Sequence, residues 1–399
     1  MVQPLLAILI CLVFAYLFSE LFKLIRLPRV VGQIFAGLIL GYALAKYAIF
    51  DQESLKTLSF LANLGIILLF YYVGLETNFK SFVKNFKKSV WISVINTFLP
   101  LVMGYSLMHF VFRLDNLPSL IIGASLSVSA QSVSIDILEE LKILKTRVGN
   151  MIISAGAVDD IIELLIVTII LSSFHFLASR LALGTLIFDV SVFIAFVIVA
   201  RLWFIPYTLK FFGREKSTTS RFMASMIIVL LIAYFSELLG IGTLIGAMIA
   251  GMIVRQTIFR EVTIPNWEEH DIAKSTHIIA FGFLIPLFFI WVGLNTDVRV
   301  IPQNFLLIGL FVLIALIGTI GGTVVAILLN RGSLREGLLI GWGLTPKGDV
   351  ELVIIAVALK SGIITQPIFT ALVVMSLITT IISSVVFKHL AIKYDARHL

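Results

Sequence analysis

Two adjacent carboxylates, Asp159 and Asp160, stand inside a long apolar run, MIISAGAVDDIIELLIVTIILSSF, from Met151 to Phe174. Crossing a bilayer takes about 20 apolar residues, so the run is long enough to span one. A charged side chain at that depth costs roughly 2.5–3.5 kcal/mol on insertion scales and usually marks an ion or proton path. Glu163 follows four residues after Asp159, on the same helical face. Paired carboxylates supply the hard oxygen ligands that a small monovalent cation prefers, and protons compete for the same oxygens. They also titrate as a coupled pair rather than as independent sites. A polar group satisfied by packing within a bundle is the plainer alternative, and it suits a lone Asp better than a pair.

A second polar cluster lies near the end of the chain, in GWGLTPKGDVELVI. Pro346 and Gly348 interrupt this apolar stretch, and Lys347, Asp349 and Glu351 gather at the interruption. A third stretch, GASLSVSAQSVSIDIL, crowds Ser125, Ser127, Ser129, Ser132 and Ser134 at mid-span and ends near Asp136. Both read as discontinuous helices, whose breaks expose backbone groups and half-helix dipole ends. A buried Lys347 is placed to neutralise facing C-terminal ends, and Asp136 facing N-terminal ends. The alternatives are a Lys347 that snorkels to the interface and an Asp136 that sits at the cytoplasmic boundary. Glu20 and Glu237, in two copies of FSEL, read as structural or interfacial.

These groups must be positioned by membrane helices. Hydrophobic residues make up 59% of the 399-residue chain and charged residues only 13%, the composition of an all-α polytopic membrane protein. The single cysteine excludes an intramolecular disulfide and a multi-cysteine metal site. The histidines show no metal-ligand spacing, and no nucleophile–base set or phosphate loop is present, so neither an enzyme nor a resident cofactor is expected. The net charge of +7 does not indicate nucleic-acid binding; in a membrane protein the placement of Lys and Arg matters more. Met1 leads almost directly into an apolar helix with no signal-peptide pattern, and no soluble regulatory domain is expected after the last span.

Apolar stretches between charged and Gly/Pro breaks give thirteen candidate spans: 4–25, 29–48, 55–75, 89–112, 117–138, 147–173, 183–209, 220–238, 241–258, 275–294, 303–330, 334–358 and 366–390. Of the 30 Lys and Arg residues, only Lys46, Lys56, Arg113, Arg180, Arg299 and Lys360 fall in one set of alternate loops. Arg201 and Lys347 lie within spans, and the remainder crowd the other set. The positive-inside rule then places the C-terminus in the cytoplasm and the N-terminus outside.

The halves of the chain resemble each other. FSEL at 18–21 recurs at 235–238, VVGQIFAGLIL at 30–40 matches LIGAMIAGMIV at 244–254, and LLFYYVGLET at 68–77 matches LFFIWVGLNT at 287–296. GASLSVSAQ at 123–131 matches GWGLTPKGD at 341–349. Each pair lies seven spans apart, an odd number, so the copies cross the membrane in opposite senses. The reading is two inverted-topology six-helix repeats, residues 1–174 and 216–399, joined by a linker helix within 175–215. Inverted repeats with discontinuous helices are a signature of secondary transporters, whose site lies near the midplane.

GAVDDIIELL after a Ser-rich broken helix, LLFYYVGLE, and GWGLTPKGDVELVI together resemble the cation/proton antiporter superfamily, in its NapA-like and Kef-like branch. The resemblance runs the full length of the chain. It implies a homodimer in the lipid bilayer, with helices one, two, eight and nine as scaffold. Helices three to six and ten to thirteen would form a core that moves like an elevator. Asp160 matches the carboxylate that binds cation or protons in competition. Asp159 matches a variable position that is Asp in Na+/H+ exchangers, Asn in another branch and Gln in Kef-type potassium systems. Two departures stand out. Thr319 falls about where Asp-Asp members carry a Lys in the eleventh helix, and Lys347-Gly348-Asp349 replaces the usual Arg-Gly-Glu.

The expectation is Na+/H+ antiport at the plasma membrane, with Asp160, Asp159, Ser129 and backbone carbonyls as the oxygen shell for the transported Na+. Glu163 is a third proton site or a partner of Lys347. Without a Lys at Thr319, Asp159 must carry a proton, share the bound ion or pair with Lys347, which favours electroneutral exchange. The rivals are K+/H+ antiport at the same site, with Li+ a further candidate ion, a gated cation channel, and a transporter of organic anions.

Overall fold

Lipid offers no partner to a peptide N–H or C=O, so a chain crossing the bilayer must close its backbone hydrogen bonds within helices. The computed structural model describes residues 3–25, 27–47, 50–76, 86–130, 183–208, 217–239, 241–261, 271–348 and 350–395, with 134, 135, 137, 138, 143, 146, 148–156, 158, 159, 162 and 166 between them. Its elements, among the described residues, are all helices. They are α1 (Pro4–Leu24), α2 (Arg29–Tyr47), α3 (Gln52–Glu76), α4 (Phe86–Ser106), α5 (Asn116–Ser127), α6 (Leu183–Val199) and α7 (Thr218–Leu238). There follow α8 (Thr243–Glu261), α9 (Asp271–Ile279), α10 (Ile285–Leu294), α11 (Phe305–Leu329), α12 (Leu334–Gly343), α13 (Val350–Lys360) and α14 (Gln366–Asp395). Single π turns extend α4 and α6 and join α9 to α10 into one span. Eight spans among the described residues are long and apolar enough to cross a membrane, and α2 and α8 add shorter apolar helices. Apart from the breaks in the fifth and twelfth spans, helices occupy the described residues of the expected spans to within a few residues at their ends.

The fifth and twelfth spans are broken, as their sequences imply. α5 ends at Ser127, and Val128 is already extended, with φ −61° and ψ 139°. α12 ends at Gly343 and α13 begins at Val350, with residues 345–348 non-helical between them. The start of α12 is fixed by its own sequence: Ser333 Oγ accepts the Glu336 N–H at 3.1 Å, the arrangement of an S-x-x-E cap. α13 stops at Gly362, whose φ of 69° suits glycine, while the Gly362 and Ile363 N–H groups return to the Leu359 and Ala358 carbonyls.

The chain divides into two compact units. One comprises Met1–Asp51, Phe79–Val167 and Phe289–Leu399; the other comprises Gln52–Asn78 and Thr168–Phe288. This grouping differs from the scaffold-and-core division that the resemblance implies, because α1 and α2 fall in the first unit while α7 and α8 fall in the second. The reason is visible within the first unit. Gly37 of α2 lies so close to the far half of α10 that a Cβ there would collide with the Ile290 carbonyl, and Gly293 in turn meets Ile34 and Gly37. Small residues let membrane helices approach in this way.

The sequence-matched segments make matching contacts. Within the second unit, Gly74 of α3 abuts Met248 and Gly251 of α8, and Gly251 abuts Tyr71 and Leu75. Gly251 stands where Gly37 stands in the other copy, and Gly74 where Gly293 stands, so the two crossings are the same pair with partners exchanged. The first unit holds a second such correspondence. Gly123 of α5 packs on Leu101 of α4, and Gly341 of α12 packs on Ile320 of α11.

A Leu in place of Gly37 or of Gly251 should therefore be comparably damaging. Each overfills a backbone-to-backbone crossing, at a cost of about 1–3 kcal/mol or more. Gly309 has nothing within 4 Å of a Cβ, so Gly309→Ala should leave the melting temperature in detergent unchanged or raise it. A tolerated Gly251→Leu beside a damaging Gly37→Leu would contradict the equivalence.

Candidate functional site

The α4 sequence SVINTFLP places Ser93, Asn96, Thr97 and Pro100 at i, i+3, i+4 and i+7, which is one face of a helix. That face is occupied by the first carboxylate of the pair. Asp159 is fully buried, and three α4 side chains donate to it: Ser93 Oγ to Oδ1 at 2.8 Å, Thr97 Oγ1 to Oδ1, and Asn96 Nδ2 to Oδ2 at 2.8 Å. Hydrogen bonds to a carboxylate are among the stronger ones, each worth about 1.5–3 kcal/mol when the group is charged. The Lys347 ammonium lies within electrostatic range of the same carboxyl.

Behind α4 stands α11, brought close by its own small residues. A Cβ on Gly318 would lie 2.6 Å from Pro100 Cβ, and one on Gly322 would lie 2.8 Å from the Ile95 carbonyl oxygen. Thr323 reaches across this seam and donates through Oγ1 to Asn96 Oδ1 at 3.2 Å; the same hydroxyl lies 2.8 Å from the Thr319 carbonyl oxygen. The Thr319 hydroxyl is buried with no hydrogen-bond partner among the described residues. Pro100 contributes no N–H, so the Asn96 carbonyl lacks its usual helical donor.

The two helix breaks meet. Ala130 N–H donates to the Pro346 carbonyl at 2.6 Å, linking residues 128–130 to residues 345–348. Ser134 Oγ donates to the Gly343 carbonyl. Lys347 is 1% exposed, and its Nζ donates to the Ser127 carbonyl at 3.2 Å, at the C-terminal end of α5. A cation at that position complements both the unsatisfied last carbonyls and the negative end of the dipole. α14 holds the lysine's backbone: Lys347 N–H donates to Thr380 Oγ1 at 2.9 Å. Ser129 is buried within the first break, and Glu351 is buried in the first turn of α13, where an acidic group favours the helix dipole.

Of the sequence-predicted groups, Asp159, Ser129, Thr319 and Lys347 are buried in the first unit. Lys347 takes the capping position at a C-terminal end that its sequence context suggests, not the snorkelling alternative. Asp160, Glu163 and Asp136 lie outside the described residues, as does Asp349. Glu20 forms an exposed ion pair with Arg29, 3.0 Å apart, and Glu237 accepts the Thr243 N–H at 3.0 Å near the start of α8, so both are structural. Sequence reading assigned Asp159 three ways of being neutralised and missed a fourth set of partners, the donors of α4. The i, i+3, i+4 spacing of Ser93, Asn96 and Thr97 in an otherwise apolar span was the available signal. Among the described residues no group of His, Cys, Asp and Glu could hold a metal ion.

Buried carboxyl chemistry beside paired helix breaks in a polytopic bundle defines a membrane transporter. A family model described as the transmembrane sodium/hydrogen exchanger matches residues 8–393, nearly the whole chain. The chain belongs to that family, whose members are secondary transporters coupling sodium and proton movement. It is 26% identical over 382 residues to a Na+/H+ antiporter of Enterococcus hirae, with 95% of each chain covered. It is 28% identical to the Na+/H+-K+ antiporter GerN of Bacillus cereus, covering 91% of this chain and 89% of that one. It is 29% identical to the Na+/H+ antiporter NhaS4 of Synechocystis, covering 94% of each. The structure of the sodium proton antiporter MjNhaP1 from Methanocaldococcus jannaschii superposes with a TM-score of 0.68 over 96% of both chains at 16% identity, a likeness of fold.

Removing the lysine should expose the end of α5. Lys347→Ala should lower stability by about 3–5 kcal/mol, the range for losing one partner of a buried charged arrangement. Lys347→Arg, which keeps the charge and the donors, should be milder. An unchanged melting temperature for the Ala variant in detergent would contradict the capping role.

Proposed function

We propose that this chain exchanges Na+ for H+ by alternating access, with cation and protons competing for the Asp159–Asp160 pair. The observation that carries the reading is Asp159 itself, a fully buried carboxyl gripped by three α4 donors, in a chain of the sodium/hydrogen exchanger family. Asp160 is the exchanging carboxylate. Facing the cytoplasm it takes a partly dehydrated Na+, with Asp159, Ser129 and carbonyls freed at the breaks completing the oxygen shell. Facing outward, protons displace the ion. Glu163 is a further proton site or a partner of Lys347. The core crosses only when the pair is neutralised, and that requirement couples the two fluxes.

The remaining architecture belongs to the same proposal. The exchanged Gly37–Gly293 and Gly251–Gly74 crossings support two inverted six-helix repeats, 1–174 and 216–399, about a linker within 175–215. The Lys and Arg bias of the loops supports an outside N-terminus and a cytoplasmic C-terminus in a plasma membrane. The working form is a homodimer with an elevator-like core. K+ is the second reading for the transported cation, supported by the name of the GerN relative.

Asp160→Asn should abolish exchange in proteoliposomes challenged with Na+, Li+ or K+ under an imposed pH gradient, while the protein still folds. Near-normal transport by that variant would sink the proposal. Stoichiometry has its own test. With no basic partner from α11 at Thr319, Asp159 keeps a proton throughout the cycle, so only Asp160 exchanges, one H+ moves per Na+, and transport is electroneutral. Sustained currents on a Na+ jump over a solid-supported membrane, absent from Asp160→Asn, would overturn that part. Thr319→Lys should make such currents appear.

A further inference from the structure

We propose that Asn96, oriented by Thr323, is a positioning residue that holds Asp159 in its cation-accepting geometry and thereby sets the affinity of the pair. The inference rests on the Na+/H+ reading above and concerns residues on α4 and α11. An amide side chain has a donor end and an acceptor end that are not interchangeable. Here both ends are engaged: Nδ2 donates to Asp159 Oδ2 at 2.8 Å, and Oδ1 accepts from Thr323 Oγ1 at 3.2 Å. Turning the amide over would set its oxygen against a carboxyl oxygen and replace the donor it gives Asp159 with a repulsive contact. The two hydroxyls on the other carboxyl oxygen are less selective, because Ser93 and Thr97 can each donate or accept. Asn96 is therefore the contact that fixes which way Asp159 presents its lone pairs.

The supporting layer is rigid. Ser93, Asn96, Thr97, Asp159, Thr319 and Thr323 are all fully buried. Gly318 and Gly322 press α11 onto α4 at Pro100, Ile95 and Asn96, leaving Asn96 little room to change rotamer. The Thr323 proton is shared between Asn96 Oδ1 and its own helix carbonyl at Thr319, so loss of that hydroxyl frees the amide without opening a cavity. Partners that orient a ligating group from behind typically change ion affinity or activity by about 10–100-fold when removed.

The test is Na+-dependent exchange in proteoliposomes, read as half-saturating Na+, maximal rate and pH profile. Asn96→Ala should raise half-saturating Na+ by about 10-fold or more, a larger change than in maximal rate, and should displace the pH profile. The near-isosteric Thr323→Val should move half-saturation in the same direction by a smaller factor, and Thr323→Ser should restore it. Thr323→Val remains informative if Asn96→Ala does not fold. If both valine and alanine variants melt earlier yet keep the wild-type half-saturation and pH profile, the role is structural and the proposal is overturned. A wild-type protein that moves no Na+ would instead remove the Na+/H+ reading, and this inference with it.

Discussion

A peptide group that leaves its helix inside a bilayer has no water to turn to, and this constraint organises the centre of the molecule. Both broken spans meet it by using each other. The first break gives an N–H to the second, Ala130 to Pro346, and the second gives an ammonium to the first, Lys347 to the Ser127 carbonyl. α14 closes the arrangement by holding the Lys347 backbone through Thr380. Neither break is affordable alone, so Pro346, Lys347 and the serine-rich stretch form one device whose parts lie 220 residues apart in the chain. Lys347 resembles an extra charge in an apolar span only until the end of α5 is drawn beside it.

The same economy of contact governs the seam between α4 and α11. Helices in lipid gain little from burying apolar surface against one another, so they are held by close packing and by polar bridges. Glycines at 318 and 322 supply the closeness, and the Thr323–Asn96 hydrogen bond supplies the bridge. Asp159 then sits at the end of a chain of side chains running from α11 through α4, rather than in an isolated pocket. A carboxyl placed in this way is costly to bury but cannot drift, and a site meant to distinguish a bare ion from a proton needs its oxygens fixed.

Much of this was legible in the sequence because membrane insertion leaves a strong mark. Apolar runs separated by basic loops gave the spans, and Pro346 with Gly348 gave the second break. Five serines crowded between 125 and 134 gave the first, although hydroxyls do not break a helix by themselves; the contact with Pro346 shows why this one opens. The paired glycines were visible as sequence matches, but their partners were not, since a repeat within the chain does not reveal which copy touches which. The α4 donors were missed for a different reason. Ser, Asn and Thr in a span are individually cheap to satisfy by bonding back to their own helix, so no single residue marks itself as aimed at a distant carboxyl, and only the shared i, i+3, i+4 face of Ser93, Asn96 and Thr97 does. Thr323 does both.

Two buried charges of the first unit, Lys347 and Asp159, therefore divide their work. Lys347 gives a donor to a backbone carbonyl at the end of α5, and that bond belongs to the architecture. Asp159 takes its hydrogen bonds from neutral side chains, which orient it without cancelling a charge. The Lys347 ammonium, within electrostatic range, offsets part of that charge, and under the proposed reading the rest of the neutralisation of the carboxylate pair comes from what enters the site, a proton or a cation. A fixed basic partner on α11 would supply that charge permanently and weaken the need for either. Thr319, a buried hydroxyl at that position, leaves the need in place. Coupling then follows from an unmet charge in a rigid setting, because the cheapest ways to meet it are the two ions being exchanged.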